Sequence, residues 1–250
     1  MPALDHLSKA EFPRSAKYDA KWLVDLDMGP HPLWLLEDLA SDLSLRPGMR
    51  VLDLGSGLGA TSVFLAREYG VRVVAADLWV DPTEAGEIFR KEEVTDLVLP
   101  MRVDAGRLPF GGSSFDAIVS IDAWEYFGTG EHYPAYLARF LKPGGQLGVA
   151  TPALTIEVRE LGEIPDHVER VVGAEAAAWH TAEWLRTQWE LSRAFAQVSA
   201  RTQAEGCANW LLWERAVLEL KGESTSPVQQ MLEADAGAFI TFALVTGQVA

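Results

Sequence analysis

The nine residues Val51-Leu52-Asp53-Leu54-Gly55-Ser56-Gly57-Leu58-Gly59 constrain this chain more than any other stretch, because an apolar strand runs into a carboxylate and then into three alternating glycines. Glycine has no Cβ, so the backbone can turn sharply there and approach a ligand closely. A helix that follows such a turn aims N–H groups without intrahelical partners at the same place. The pattern predicts a nucleotide-binding turn. Asp53 restricts what it binds: a pyrophosphate needs bare N–H groups and positive potential, whereas a carboxylate at a strand end favours an ammonium or a sulfonium. The glycines alone are ambiguous. Gly55-x-Gly57-x-x-Ala60 followed by Asp77 also fits the dinucleotide fingerprint, whose acid lies about 20 residues further on.

The following residues break the tie. Val71 to Asp77 is a second apolar run ending in an acid, which suits a strand whose carboxylate takes both ribose hydroxyls while Leu78 and Trp79 flank an adenine. Val103-Asp104-Ala105 offers an acceptor for the adenine amino group, Phe115 to Asp122 reads as a buried fourth strand, and Leu141 to Gly145 as a helix end before a fifth. In this order the motifs resemble the class I S-adenosylmethionine-dependent methyltransferases, specifically the small-molecule group. The signatures are Leu108-Pro109-Phe110, Ser114-Phe115-Asp116 and Leu141-Lys142-Pro143-Gly144-Gly145, and the likeness covers roughly Pro47 to Thr151. It implies S-adenosylmethionine as cofactor, which carries both an ammonium and a sulfonium. Asp53, Gly55, Ser56, Gly57 and Gly59 would surround its methionyl part, Asp77 its ribose, and Leu78, Trp79, Asp104 and Ala105 its adenine. Ile121 and Asp122 would line the methyl-donor side, and Met28 and Gly29 would belong to a loop folded over the cofactor.

Candidates for the acceptor side are fewer. Trp124 and Tyr126 follow the fourth strand, where an acceptor would meet the methyl group; relatives often place Glu-His-Phe at Glu125 to Phe127, and Tyr126 replaces that histidine. His31 is the leading candidate for proton transfer, Tyr126 for an orienting role at the reaction centre, and His180 for a substrate contact. Both histidines also have a purely structural reading as loop residues. Most of the nine tryptophans are expected to pack, with Trp124 the first choice for a ring against substrate.

The order of elements implies an α/β, doubly wound, mostly parallel seven-stranded Rossmann-like sheet with helices on both faces. Four stretches are expected: a helical lid segment (1–46), the cofactor-binding core (47–151), a helical substrate-binding insertion after the fifth strand (152–196), and a C-terminal completion of the sheet (197–250). A net charge of −15 argues against nucleic acid, whose binding relies on Lys and Arg. The single cysteine, Cys207, excludes an intrachain disulfide and suits a cytoplasmic setting. The leading residues have no apolar stretch of signal-peptide length, no segment is long enough to span a bilayer, and no histidine spacing calls for a metal. The expected activity is methyl transfer to nitrogen, oxygen or carbon of a small organic molecule, with oligomeric state left open. A nicotinamide-dependent oxidoreductase and a non-catalytic cofactor-binding protein are the alternatives.

Overall fold

The structure, a computed structural model, describes residues 7–250; the first six residues of the expected lid segment, and that part of the signal-peptide reading, lie outside the described residues. Three apolar runs form the centre of a single sheet: β1 (Arg50–Leu54), β2 (Arg72–Asp77) and β4 (Phe115–Ile121). Their residues are almost continuously buried, as parallel strands covered on both faces must be. With β3 (Val98–Arg102), β5 (Leu141–Leu154), β6 (Gln197–Thr202) and β7 (Ile240–Gln248), the strand order is β3-β2-β1-β4-β5-β7-β6. Only β7 runs antiparallel to its neighbours. This is the expected doubly wound sheet of seven strands.

Helix boundaries follow from local chemistry. Asp81 accepts from the Thr83 N–H and Pro82 takes the first helical position, so α4 (Pro82–Lys91) starts where its capping sequence dictates. The glycine turn leads into α3 (Ala60–Tyr69), which Gly70 ends in the left-handed conformation. Two helices of the leading segment, α1 (Ala20–Asp25) and α2 (Pro32–Ala40), precede β1. Helices α2, α3 and α4 cover one face of the sheet through Leu36, Phe64 and Phe89. The opposite face is covered by α5 (Tyr133–Ala138) and α8 (Ala182–Ser192), through Leu137, Leu185 and Trp189.

The residues after β5 divide differently from the expected 152–196 insertion. Pro152 to Leu154 still pair with β7, and α8 is a framework helix lying on the sheet through Leu185 and Trp189. What projects from the core is the part between them, α6 (Val158–Leu161), α7 (Asp166–Val172) and a 3₁₀ segment, Gly173–Ala178. It joins a second helical pair, α9 (Gly206–Lys221) and α10 (Pro227–Asp235), inserted between β6 and β7. Trp213 of α9 ties this cap to the leading loop, its Nε1–H shared between Asp27 Oδ1 and the Gly29 carbonyl at 3.2 Å each.

Asp235 fastens α7, α10 and β7 together. Its buried carboxylate accepts the backbone N–H groups of Gly237 and Ile240 at 3.1 and 2.9 Å, and lies 2.9 Å from His167 Nε2. Hydrogen bonds to a charged group contribute about 1.5–3 kcal/mol each. Asp235→Ala should therefore lower unfolding free energy in urea by about 3 kcal/mol, and an unchanged midpoint would show that the cap is held elsewhere.

Candidate active site

Carboxylates stand at the C-terminal ends of the first four strands. Asp53 is the penultimate residue of β1 and is buried; its Oδ2 accepts the hydroxyls of Thr61 and Ser62, both at 2.6 Å, from the first turn of α3. Its Oδ1 is buried without a hydrogen-bond partner among the described residues. Burial pushes this carboxyl up to about 6, with the two hydroxyls pulling it back and Asp77 adding to the rise. Asp77 ends β2. It accepts the Gly57 N–H at 2.8 Å on one oxygen and the N–H groups of Trp79 and Val80 on the other, which locks the glycine turn to the second strand. Gly57 has φ +53° and lies so close to Met28 that a Cβ would sit 2.7 Å from its sulfur, so a side chain there would strain the turn and displace Met28.

Above these residues opens a cavity of about 270 Å³. It is lined by the leading loop (Leu26, Met28 to Pro30, Pro32), the glycine turn (Leu54 to Thr61), the end of β2 and its continuation (Ala76 to Trp79), and the residues after β3 (Val103 to Ala105). Ile121 at the end of β4, with Asp122, Ala123, Tyr126 and Phe127 after it, completes the wall. Of the expected cofactor residues, Met28, Gly29, Gly55, Ser56, Gly57, Gly59, Asp77, Leu78, Trp79, Asp104, Ala105, Ile121 and Asp122 all meet here, and Asp53 lies beneath them. Asp104 also closes a local turn through the Gly106 N–H at 2.8 Å, an interaction that leaves its second oxygen free of it.

The acceptor-side expectations need correction. His31 does not line the cavity: it is 5% exposed, its ring stacks on Trp34 at 4.0 Å, and its Nδ1 accepts the Trp34 N–H as the N-cap of α2. That bond places the proton on Nε2, and burial drives the imidazole down to about 3, so His31 is a neutral capping group rather than a base. Trp124 is fully buried on the other side of β4, packed against Trp189 and Tyr133, because the short 3₁₀ turn Trp124–Tyr126 directs its ring under the sheet. His180 stacks on Trp184 at 3.5 Å and pairs with Glu157 at 2.9 Å at the start of α8, away from the cavity lining. Tyr126 alone of these reaches the cavity, half exposed, with burial and the Glu125, Asp122 and Glu175 carboxylates raising its phenol to about 12.

Glu125 and Trp213, neither of them in the expected set, shape the site together with the expected Asp122. Glu125 bonds Thr151 of β5 at 2.8 Å, and burial together with Glu175 raises its carboxyl to about 7. Asp122, at φ +52°, has a carboxyl raised well above its ordinary value by burial and by Glu125 and Asp27. Trp213 supports the leading loop from α9 as described. Nothing local in the sequence marks Trp213, since its partners are more than 180 residues away.

Strand order, glycine turn and acid-lined cavity together define a class I methyltransferase architecture. A family model described as mycolic acid cyclopropane synthetase matches residues 36–176, more than half of the chain, and the protein belongs to that family. Among curated relatives, methyltransferase GfsG of Streptomyces halstedii is 33% identical over 117 residues, covering 46% of this chain and 42% of its own. The 27-O-demethylrifamycin SV methyltransferase of Amycolatopsis mediterranei is 30% identical over 157 residues, 60% of this chain and 58% of its own. The chain thus spans about half the length of these relatives. Phosphoethanolamine N-methyltransferase 2 of Haemonchus contortus, solved with S-adenosyl-L-methionine, shares the fold at a TM-score of 0.71 and 18% identity, over 100% of this chain and 60% of that one. No helix among the described residues is long and apolar enough to cross a membrane.

The raised Asp53 has a consequence for pH. In the folded protein the Asp53 carboxyl is held up to about 6, whereas in the unfolded chain it releases its proton near the ordinary aspartate value of 3.8. The ionised form therefore costs stability above that window, and a bound ammonium relieves the cost. S-adenosylhomocysteine should raise the melting temperature more at pH 7.5 than at pH 5, and Asp53→Asn should flatten most of the difference; equal shifts at both pH values would contradict the assignment. His31→Asn, which preserves a capping side chain, should retain near-normal turnover. A loss of about 10²-fold or more would restore His31 as a general base.

Proposed function

We propose that the protein transfers a methyl group from S-adenosylmethionine to a small organic acceptor. The observation that carries this reading is the set of acids at successive strand ends around one cavity, Asp53, Asp77, Asp104 and Asp122. Asp53, with an unpartnered oxygen, suits the ammonium of the methionyl part; Asp77 the ribose hydroxyls; Asp104 the adenine amino group. Leu78 and Trp79, exposed at 48% and 63%, offer apolar surface to the adenine. When bound, the donor supplies an electrophilic methyl on a positively charged sulfur. The chain's part is to hold donor and acceptor in line, since orientation at about 3–3.5 Å supplies much of the acceleration in a displacement at carbon. The Met28–Pro32 loop, latched by Trp213, excludes water above the donor.

The nicotinamide reading is disfavoured on a specific contact. The Gly57 N–H that a pyrophosphate would take is already donated to Asp77, and the lining includes three carboxylates with no Lys, Arg or His among the described residues. The same acidic character and the charge of −15 speak against a nucleic-acid partner. A buried free cysteine, Cys207, is compatible with a reducing cytoplasm. Relatives named for a rifamycin, sterols and glycine or sarcosine span oxygen, carbon and nitrogen acceptors, so the acceptor atom does not carry over from them.

Calorimetry with S-adenosylhomocysteine and with NAD tests the donor. The former should bind, and Asp77→Ala should weaken it by about 1.5–3 kcal/mol through loss of bonds to a charged acceptor. Binding of NAD without S-adenosylhomocysteine would overturn the reading. A donor that binds but is never consumed across amines, phenols and carboxylic acids would favour the non-catalytic alternative.

A further inference from the structure

Of the four acids around the cavity, Asp122 alone is assigned no ammonium, ribose or adenine partner on the donor. It lines the cavity and makes no side-chain hydrogen bond among the described residues, although burial is the main cause of its raised carboxyl. It approaches Gly29 so closely that a Cβ there would collide with Oδ2, so the leading loop closes directly over it. Glu125 and Asp27 add to the negative field at Asp122, and Glu175 adds to it at Glu125. Of these, Asp27 is answered by Lys221 Nζ at 3.2 Å. The cavity lining contributes no cation to answer Asp122.

A second, independent feature lies beside it. Trp79 and Tyr126 meet edge to face at 5.1 Å and 72°, yet stay 63% and 51% exposed while lining the cavity. The Tyr126 ring, left open beside an uncompensated carboxylate, is what an organic cation requires, through ion pairing and attraction to the ring quadrupole. An anionic acceptor, a carboxylate or a phosphate, would instead meet Asp77, Asp104 and Asp122 with no lining cation to offset them.

We propose that the acceptor is an amine that enters as its ammonium ion and sits between Asp122 and the ring of Tyr126, which Trp79 braces edge-on from the adenine side. This rests on the methyl-transfer reading and names the substrate class of the same site. The ammonium gives one proton to the Asp122–Glu125 carboxylate pair, which frees the nitrogen lone pair. That pair forms the bond to the methyl carbon as the carbon–sulfur bond breaks, its electrons passing to sulfur. The sulfonium becomes a neutral thioether and the product leaves as a methylated ammonium, so one positive charge and one protonated carboxyl balance the two cations and one carboxylate at the start. Glu125, bonded to Thr151, acts through Asp122 and is a positioning residue.

The test uses protein saturated with S-adenosylhomocysteine, whose sulfur is uncharged, so that Asp122 has no sulfonium to answer. Calorimetry then compares choline with its uncharged tert-butyl isostere. Choline should bind about tenfold more tightly, a difference of about 1.4 kcal/mol. Asp122→Asn should bring the two to near parity, and Tyr126→Leu, a change at an exposed position, should narrow the gap without disturbing the fold. Labelled methyl from the donor should appear on secondary amines in preference to phenols and benzoic acids. Equal affinity for the two probes, binding of neither, or methylation of a phenol or acid but no amine would overturn the amine assignment while leaving methyl transfer standing. Failure of S-adenosylhomocysteine itself to bind would instead sink the methyl-transfer reading.

Discussion

A buried carboxylate with one unsatisfied oxygen is the constraint on which the donor site depends. Asp53 is 1% exposed and stabilised on one side only, by the hydroxyls of Thr61 and Ser62. Those two hydroxyls come from the first turn of α3, so the position of the helix, the glycine turn that leads into it and the carboxylate are set together. Burying a charge without a partner is costly, and the protein tolerates this by holding the group closer to neutrality than an ordinary aspartate. A cationic ligand removes the cost. The site is therefore preorganised for positive charge.

The rest of the site is arranged around that turn. Asp77 ties the glycine backbone to β2, and the leading loop presses Met28 against Gly57 and Gly29 against Asp122. The loop does not hold itself: α2 begins at a buried capping histidine, and Trp213 donates to the loop from an element between the last two strands. The long β5–β7 ladder carries the sheet past the point where β4 stops, Ala150 pairing with Ile121 and the ladder continuing to Leu154. That extension is the base from which the helical cap projects.

The core was legible in the sequence because its signals are local. The apolar runs, the alternating glycines, the Asp81-Pro82 helix start and the acids at strand ends each depend on residues a few positions apart, and the resemblance built on them reaches the same fold. The cap was not legible, because α9 is recognised as lid-supporting only through Trp213 and Lys221, whose partners lie in the leading loop. Of the three corrected acceptor-side expectations, His31, Trp124 and His180, the first two have physical causes in local structure. A 3₁₀ turn after β4 rotates Trp124 to the opposite face and leaves Tyr126 at the cavity. His31, in a loop that does cover the site, is consumed by the unsatisfied Trp34 N–H at the start of α2, a use of histidine that sequence spacing does not separate from a catalytic one.

The central claim, that the raised Asp53 carboxyl gives up its proton to meet a cation, is tested most directly by counting protons. Calorimetric titration of S-adenosylhomocysteine at pH 5.5, in buffers of different ionisation enthalpy, should show release of nearly one proton more from the native protein than from Asp53→Asn, fading toward pH 8. The same proton count for both proteins would contradict the account.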